Sequence, residues 1–298
     1  VPVEDQDWTG DPFGMRRKGR LLYGRGTCDM KGFIAAATVM APTYAALPLR
    51  RPIHFAFTYD EEVGCLGARS LLPILAEQGL RPAMALIGEP TSMQVIEGHK
   101  GCCEYSVHFE GYEGHGSRPE LGVNAVEYAV RYVARLMSLR GELEQRAPSG
   151  SPFSPPWSTI NVGAVQGGVA HNVIAGKARV DWEMRPVRKG DAEFVKSAMA
   201  TLVENELLPA MRAVHPDSTI VTDVIGEVTG LDVTEENAAR ELVFSLLGTQ
   251  HADVVSFGTE AGLYQEMGVS AVLCGPGDIA QAHKPDEFVS LDQLQQCA

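Results

Sequence analysis

The chain has 298 residues, of which 45% are hydrophobic and 21% are charged, proportions that are typical of a folded globular protein rather than a disordered one. Its formal net charge of −13 argues against nucleic acid or an anionic membrane as a partner, and it suits a protein that holds divalent cations. No apolar run approaches the roughly 20 residues of a membrane span. The 6 cysteines show no CxxC spacing, which indicates reduced thiols and a cytoplasmic location.

The first hundred residues alternate short apolar runs with helical patterns. We predict a loop over residues 1–20, strands at residues 21–24, 53–58 and 83–87, and helices at residues 33–47 and 67–79. The run at residues 53–58 is predominantly apolar, so we expect it to form a buried strand. Strands that alternate with helices in this way predict a parallel sheet covered by helices.

The pattern changes after about residue 98. Alternating apolar and polar residues predict strands, and longer periodic segments predict helices, in the order 104–110, 124–144, 159–165, 177–184 and 191–214. This order resembles the β-α-β-β-α-β arrangement of a ferredoxin-like unit. We expect the parallel organisation to return at about residue 219, with a helix at 235–247 and short strands at 254–256 and 271–274.

These changes predict a catalytic domain in two parts. Residues 1–97 and 217–298 would form that domain, and residues 98–216 would form a smaller inserted domain.

Three consecutive carboxylates, Asp60, Glu61 and Glu62, follow the predicted strand at residues 53–58. Ligands commonly bind at strand ends in α/β proteins, and crowded carboxylates need cations. Because adjacent side chains of an extended segment point in different directions, Glu61 and Glu62 could divide the roles of metal ligand and general base. The alternative is an acidic helix N-terminus that the helix dipole stabilises.

Three further residues are candidate metal ligands. Asp29 lies in a glycine-flanked turn just before a predicted helix, where it could also be the N-cap. Glu89, which Pro90 holds extended, is alternatively a polar loop residue. His283 lies in a Gly- and Pro-rich loop that could present a ligand, although a lone His is also commonly structural. Together with Glu62, these residues indicate a metal-dependent hydrolase.

Three residues of the predicted insertion could bind a substrate. Glycines flank His115, which could polarise a carbonyl oxygen or simply occupy a surface turn. Arg185 could pair with a substrate carboxylate in bidentate fashion, or form an ordinary salt bridge. The same two kinds of role, binding and structural, remain open for Asn172.

Several sequence blocks resemble, in order, those of the aminoacylase/carboxypeptidase G/succinyl-diaminopimelate desuccinylase family of di-zinc amidohydrolases. They cover essentially the whole chain, and they are GRGTCDMKG, YDEEVG, GEPTSM, GHKG, GHGSRP, FGTEAG and CGPGDIAQAHKPDE. The resemblance implies an α/β fold with a parallel-rich, zinc-exopeptidase-like catalytic sheet flanked by helices. It also implies an inserted ferredoxin-like α+β domain that mediates dimerisation.

The resemblance assigns metal and proton-transfer roles residue by residue. Asp29 would bridge two zinc ions in each subunit, with cobalt as a possible replacement. Glu62 and His283 would complete one metal site, and Glu89 would belong to the other. Glu61 would be the general base that deprotonates the attacking water.

The resemblance also implies a homodimer in which the inserted domain takes part in catalysis. His115 would reach the active site of a partner subunit and help to bind the oxyanion. Asn172 and Arg185 would hold the carboxylate of a small N-acyl amino acid substrate. Asp286 and Glu287 match motif positions but receive no role.

The implied reaction removes the acetyl group from N2-acetyl-L-ornithine to give L-ornithine and acetate, as in arginine biosynthesis. Alternatives on the same machinery are the desuccinylation of succinyl-diaminopimelate and the hydrolysis of another N-acyl amino acid or a dipeptide. A non-catalytic binding relative is the remaining alternative.

One feature of the family's pattern is missing at the start of the chain. The family's first metal site also uses a His from a block of the form GHxDVVPV, and this chain begins at Val1-Pro-Val3. We therefore expect the chain to be a fragment that also stops inside its closing helix at residues 291–298. We further expect it to bind the Glu89-side metal weakly and to be poorly active.

Overall fold

The computed structural model describes residues 1–298, and these form two compact units. The first unit contains Val1–Gly98, Leu231–Val255 and Glu260–Ala298, and the second contains His99–Gly230 and Ser256–Thr259. The chain therefore passes out of the first unit and returns to it. Whether these units correspond to independent domains with the expected boundaries stays a prediction.

The regular elements are short in the first unit and longer in the second. The strands are β1 (Arg16–Lys18), β2 (Leu21–Tyr23), β3 (Met84–Ile87), β4 (Ile96–His99), β5 (Cys102–Glu110), β6 (Gly114–His115), β7 (Thr159–Gly167), β8 (Val173–Ile174), β9 (Lys177–Arg185), β10 (Thr219–Val228), β11 (Asp253–Val255), β12 (Ser270–Leu273) and β13 (Phe288–Ser290). The α-helices are α1 (Gly32–Ala45), α2 (Leu66–Glu77), α3 (Ala125–Gln145), α4 (Asp191–Leu202), α5 (Leu208–Val214), α6 (Ala238–Leu247), α7 (Ala261–Glu266) and α8 (Leu291–Cys297). No helix has both the length and the apolar composition that a membrane crossing requires.

The first unit is built on a four-stranded sheet with the order β11-β4-β12-β3. Strand β12 pairs in parallel with β3 and antiparallel with β4. The paired strands β3 and β12 are short apolar runs, as expected for strands that helices cover. Because parallel strands end at the same edge of a sheet, the loops that follow β3 and β12 leave that edge together. These two loops carry Glu89 and His283.

A second, three-stranded antiparallel sheet of the first unit has the order β1-β2-β13. Strand β13 pairs with β2 through Phe288↔Tyr23 and Val289↔Leu22. This pairing brings the end of the 275–287 loop beside the start of the turn that carries Asp29. The strand β1 was not expected, because its sequence Arg16-Arg17-Lys18 lacks the apolar alternation that identifies a strand.

The second unit contains a four-stranded antiparallel sheet with the order β10-β5-β9-β7. This is the predicted β-α-β-β-α-β arrangement, in which β5, α3, β7, β9, α4 and β10 follow one another along the chain. Strand β5 alternates buried and half-buried residues because one sheet face packs against α3 and α4. The long helix α3 begins as expected at Asn124, whose side chain accepts a hydrogen bond from the N–H of Val126 at 3.1 Å.

The buried strand expected at residues 53–58 is absent. The segment is not part of any sheet, and Ile53, Phe55 and Phe57 are exposed. Phe55 stacks on Tyr44 of α1, with ring centroids 6.5 Å apart. A strand requires a partner for its main-chain hydrogen bonds, and this segment pairs with none of the strands, so its apolar composition alone did not decide its structure.

The expected return to parallel organisation does occur, since β12 pairs in parallel with β3, but its expected start at about residue 219 is wrong. Residues Thr219–Val228 form β10, which pairs antiparallel with β5 at the edge of the second unit's sheet. The first unit resumes at Leu231. A strand at a sheet edge needs little apolar alternation, and only Val228 of β10 is fully buried. The sequence pattern therefore did not reveal which sheet it joins.

Candidate active site

Asp29 lies on a tight turn between β2 and α1. Gly26 begins the turn with a φ of +79°, a conformation that glycine adopts far more readily than other residues. The peptide bond between Asp29 and Met30 is cis. The residue that precedes α1 is Lys31, and no side chain caps the helix. The alternative role of Asp29 as an N-cap is therefore wrong, and its carboxylate is available to a ligand.

Glu287 holds this turn in place. One carboxylate oxygen, Oε1, accepts hydrogen bonds from the main-chain N–H groups of Cys28 at 2.9 Å and Asp29 at 3.1 Å. The other oxygen, Oε2, accepts a charged hydrogen bond from Arg25 at 2.7 Å, and both side chains are buried. Because both oxygens are occupied within the protein, Glu287 supports the position of Asp29 rather than binding a ligand itself.

Glu61 and Glu62 lie in a 3-10 turn, Glu61–Val63, and not in the extended segment that we expected. Asp60 enters the turn with a φ of +50° and Gly64 leaves it with a φ of +103°. The turn still separates the two carboxylates. Glu61 is half-buried and Glu62 is exposed.

The environment of Glu61 favours its protonated form. Its pKa is raised to about 7, first by burial and then by the negative charges of Glu62 and Asp29. The thiol of Cys65 lies 3.5 Å from Glu61 Oε1 and opposes this shift. A carboxylate with a pKa near 7 can accept a proton and release it again close to neutral pH.

The ring of His283 lies between the carboxylates of Asp29 and Glu62, which belong to different loops. Its Nε2 lies 3.1 Å from Asp29 Oδ2 and 3.0 Å from Glu62 Oε1. These hydrogen bonds, with Asp29 contributing most, raise the pKa of His283 to about 10. The histidine therefore sits as a cation between two carboxylates, where a metal ion would provide the positive charge instead.

Glu89 is a buried carboxylate that lies close to other carboxylates. Its side chain follows β3, it is 6% exposed, and Pro90 keeps the following backbone out of a helix. Burial, and then the negative charges of Asp29, Glu61 and Glu62, raise the pKa of Glu89 well above its usual range. Burying an unpaired carboxylate is costly unless a cation or a proton neutralises it.

These donors fit a divalent cation. Asp29, Glu62 and His283 offer one ligand atom each, and the three atoms lie within 4.8 Å of one another. Carboxylate oxygen and imidazole nitrogen are the ligands of catalytic zinc sites, and they suit other divalent transition metals as well. Four of the predicted site residues, namely Asp29, Glu61, Glu62 and His283, thus converge from three separate stretches of sequence, and Glu89 lies within their electrostatic reach.

Glu260 belongs to the same acidic cluster, and sequence reasoning gave it no role. It is half-buried at the start of α7, and its Oε2 accepts a hydrogen bond from the hydroxyl of Thr58 at 2.9 Å. Its charge contributes to the raised pKa values of Glu61 and Glu89. The signal in the sequence was the block FGTEAG, where a Glu between small residues has no helical or strand pattern to explain it.

The other predicted site residues lie in the second unit. His115 of β6 and Asn172 come together, because β6 pairs with β8 and the N–H of Gly116 donates to the main-chain oxygen of Asn172 at 2.8 Å. Both side chains are exposed. Arg185 ends β9 and forms a salt bridge with Glu183 at 2.6 Å, so the ordinary ion pair that we left open is present.

His115 is held in one tautomer when it is neutral. The main-chain N–H of Ser117 points at Nδ1, 3.2 Å away, and a main-chain N–H can only donate. Nδ1 must therefore accept, which leaves the proton on Nε2. The exposed Nε2–H is consequently a hydrogen-bond donor.

A second group of possible ligands, Cys102, Glu104 and Glu183, lies on neighbouring strands of the second unit. Its chemistry is less suited to a metal. Burial raises the pKa of the Cys102 thiol to about 12, so sulfur remains protonated, and Arg185 already neutralises Glu183. This group therefore differs from the cluster around Asp29.

The chain is similar to known proteins over its whole length. The model of peptidase family M20/M25/M40 matches residues 1–298. Acetylornithine deacetylase of Klebsiella pneumoniae (strain 342) is 35% identical over 289 residues, which are 97% of this chain and 73% of that protein. The corresponding enzyme of Salmonella arizonae is 36% identical over the same shares of the two chains.

Solved structures share the fold at lower sequence identity. The M20 family metallo-carboxypeptidase Sso-CP2 from Sulfolobus solfataricus has a TM-score of 0.71 and 16% identity, covering 99% of this chain and 80% of that one. The YXEP protein of Bacillus subtilis, described as a dinuclear metal binding peptidase from the M20 family, has a TM-score of 0.57 and 19% identity over 89% of this chain and 67% of that one.

These similarities agree with the chemistry of the acidic cluster. The donor set around Asp29 fits a metal cofactor, and Glu61 lies beside it as a candidate base. The protein is thus a metal-dependent enzyme that hydrolyses amide bonds in small molecules. From residue 1 to residue 298, the chain belongs to peptidase family M20/M25/M40.

Proposed function

We propose that this enzyme is a zinc-dependent deacetylase that hydrolyses N2-acetyl-L-ornithine to L-ornithine and acetate. The observation that carries the proposal is the convergence of Asp29, Glu62 and His283 beside the half-buried Glu61. The choice of substrate is supported by the identity of 35% to an acetylornithine deacetylase over 97% of the chain.

Two zinc ions would be held by the acidic cluster. Asp29, Glu62 and His283 would hold one of them, and Glu89 would share Asp29 with the other. Cobalt would suit the same oxygen and nitrogen donors. When bound, zinc polarises a carbonyl and lowers the pKa of water, so that hydrolysis can proceed near neutral pH.

Glu61 would transfer the proton. In this role its carboxylate accepts a proton from the attacking water and then delivers that proton to the nitrogen of the departing amine. A pKa raised to about 7 suits both halves of the transfer, because the group is then neither a very weak base nor a very weak acid. Glu62, one residue away, would remain a ligand because it faces His283.

The roles of the second unit rest on the sequence resemblance. His115 would stabilise the oxyanion that forms during amide hydrolysis, and a proton on its Nε2 supports this role. Asn172 and Arg185 would bind the substrate carboxylate, for which Arg185 would have to leave or share Glu183. We also propose that the enzyme is a homodimer in which His115 serves the active site of a partner subunit.

A panel of substrates tests the proposal. Initial rates would be measured with zinc on N2-acetyl-L-ornithine, N-acetyl-L-glutamate, succinyl-diaminopimelate and a dipeptide. We expect the highest kcat/KM with N2-acetyl-L-ornithine, and we expect a chelator to abolish all hydrolysis. A higher kcat/KM for the succinylated substrate or the dipeptide would contradict the proposed substrate, and hydrolysis of none would favour a binding relative.

A further inference from the structure

The N-terminal segment of the first unit, residues 2–9, lies against the loop that carries His283. The side-chain amide of Gln6 donates from Nε2 to the main-chain oxygen of His283 at 3.0 Å. Three residues further along each segment, the hydroxyl of Thr9 donates to Asp286 Oδ1 at 2.9 Å. The N-terminal segment therefore contacts this loop at two points, and one of them is the candidate metal ligand itself.

The orientation of the Gln6 amide is fixed by its other partners. Its Oε1 accepts hydrogen bonds from Arg25 Nη2 at 2.6 Å and from Trp8 Nε1 at 3.1 Å. Guanidinium and indole N–H groups can only donate, so the amide oxygen must face them, and the amide nitrogen then faces the oxygen of His283. The guanidinium of Arg25 also lies over the ring of Trp8, 5.0 Å from its centroid.

Arg25 joins the supports of two candidate metal ligands. Its Nη1 donates to Glu287, whose other oxygen holds the main chain of Asp29. Its Nη2 donates to Gln6, which in turn holds the main chain of His283. One buried guanidinium thus connects the segments that present Asp29 and His283.

The main chain of His283 has a conformation that depends on its surroundings. Its φ is +62°, in the left-handed region that residues other than glycine keep only where neighbouring contacts hold them. Its Nε2 lies 3.1 Å from Asp29 Oδ2 and 3.0 Å from Glu62 Oε1. A change in the main chain of His283 would move the ring away from these two carboxylates.

We propose that Gln6 is a positioning residue for metal binding, which holds the main-chain oxygen of His283 and thereby fixes its ring as a ligand. The inference rests on the proposed role of His283 as a zinc ligand. It extends that role by adding a contact from the N-terminal segment to the support of the metal site. Residues that orient metal ligands typically contribute about 10- to 100-fold to metal affinity.

Gln6→Glu tests the inference, because it removes one contact and keeps the others. The carboxylate retains oxygens for Arg25 and Trp8, but it has no N–H group to donate to His283. We expect the Kd for zinc of the metal-stripped protein, measured by competition with a chelating dye, to rise about 10- to 100-fold. The added negative charge would by itself attract zinc, so weaker binding could not be attributed to that charge.

Gln250→Glu is the matched control. It makes the same chemical change at an exposed loop position of the first unit, and it should bind zinc with wild-type affinity.

Two further measurements separate positioning from folding. The Tm of metal-free Gln6→Glu should remain close to that of Gln250→Glu, because Arg25 and Trp8 keep their acceptor. With Co²⁺ in place of zinc, the visible absorption spectrum reports the arrangement of the ligands around the metal. We expect this spectrum to differ from that of the wild type in Gln6→Glu and to be unchanged in Gln250→Glu.

His283→Ala distinguishes failure of the inference from failure of the proposed metal site. If this variant binds zinc as tightly as the wild type, His283 is not a ligand and both proposals are wrong. If it loses affinity while Gln6→Glu binds zinc like Gln250→Glu, only the positioning role of Gln6 is overturned. A metal-free Gln6→Glu protein with a much lower Tm than the control would assign Gln6 to folding and would also overturn that role.

Discussion

Glu61 and Glu62 are adjacent and have identical side chains, but their different surroundings give them different chemistry. Burial and the neighbouring carboxylates raise the pKa of Glu61 to about 7. Glu62 is exposed and lies 3.0 Å from the ring of His283. The first residue is therefore suited to proton transfer and the second to holding a cation.

Glu61→Gln tests the assignment of the base. The amide is similar in size but cannot accept the proton, so we expect kcat for N2-acetyl-L-ornithine to fall about 10²- to 10⁴-fold while zinc remains bound. Steady-state kinetics and metal analysis of the same preparation would measure both quantities. A variant that turns over at the wild-type rate would show that another group is the base.

The raised pKa values of the acidic residues also predict how the stability of the metal-free protein depends on pH. The folded-state pKa of Glu61 is raised to about 7, and that of Glu89 is raised as well, mainly by burial. The contribution of Glu61 to stability is fully present below the unfolded-state pKa of about 4.3, and it is lost as the pH rises through about 7. The contribution of Glu89 is lost in the same direction, with rising pH. The Tm of the metal-free protein should therefore fall over this interval.

Two comparisons make this pH measurement specific. In Glu61→Gln, the metal-free Tm should fall less over the same interval, because one of the titrating groups is gone. With excess zinc, the wild-type Tm should fall less than it does without metal, because a bound cation favours the ionised carboxylates. A metal-free wild type whose Tm does not fall between these pH values would refute this account of the cluster.

At the residue scale, the sequence was sufficient to predict those site residues that lie in distinctive local motifs. Asp29, Glu62 and His283 stand in glycine-rich or acidic blocks, and they do meet in space. The support that Glu287 gives to the Asp29 turn could not be predicted, because it joins residues 258 and 259 positions apart. Sequence patterns report local structure, whereas such pairs depend on how the sheets are assembled.

At the scale of elements, the turn that carries Asp29 depends on a buried ion pair. Glu287 and Arg25 are almost fully buried and their charged atoms are 2.7 Å apart. Removing one partner of such a pair leaves the other charge uncompensated, which typically costs about 3–5 kcal/mol. The same change releases the main-chain N–H groups of Cys28 and Asp29.

We therefore expect Glu287→Gln to reduce the free energy of unfolding by an amount in that range, and to weaken zinc binding through the displaced Asp29. Urea denaturation and zinc titration would measure the two effects. Asp292→Asn is the matched control, because it breaks an exposed pair with Arg20 and should change neither quantity appreciably. If Glu287→Gln matched this control, the supporting role of Glu287 would be wrong.

Element prediction succeeded where a local signal and the tertiary environment agreed. Helix α3 has an N-cap at Asn124 and a continuous apolar stripe that packs on the sheet, and its predicted range of 124–144 lies within a residue of Ala125–Gln145. The segment at residues 53–58 has a strand-like composition, but it pairs with no other strand and is not part of a sheet. Composition therefore identifies a possible strand, and pairing decides whether it forms.

At the scale of the whole molecule, the order of elements was enough to predict the fold class, but it was not enough to predict the strand directions within each sheet. The β-α-β-β-α-β order of the second unit was evident from alternation and helix length, and its sheet has the order β10-β5-β9-β7. In the first unit, β4 runs antiparallel to β12. A strand's direction depends on the path of the chain between strands, which periodicity does not report.

The division into two units predicts a local response to metal. All the proposed ligands lie in the first unit, on the segments around Asp29, Glu62, Glu89 and His283. We expect zinc to slow amide hydrogen exchange in peptides from these segments, because a ligand that binds only the folded site suppresses its local opening. Peptides from the core of α3 in the second unit provide the internal comparison, and an equal change there would contradict a site confined to the first unit.

Zinc titration of the metal-stripped protein, with hydrolysis of N2-acetyl-L-ornithine as the readout, tests the central claim most directly. We expect no hydrolysis without metal and a rate that rises in proportion to bound zinc, and we expect the Asp29→Asn variant to bind little zinc and to hydrolyse little substrate. Hydrolysis by the metal-free wild type would contradict the claim, as would an Asp29→Asn variant that binds zinc and turns over normally.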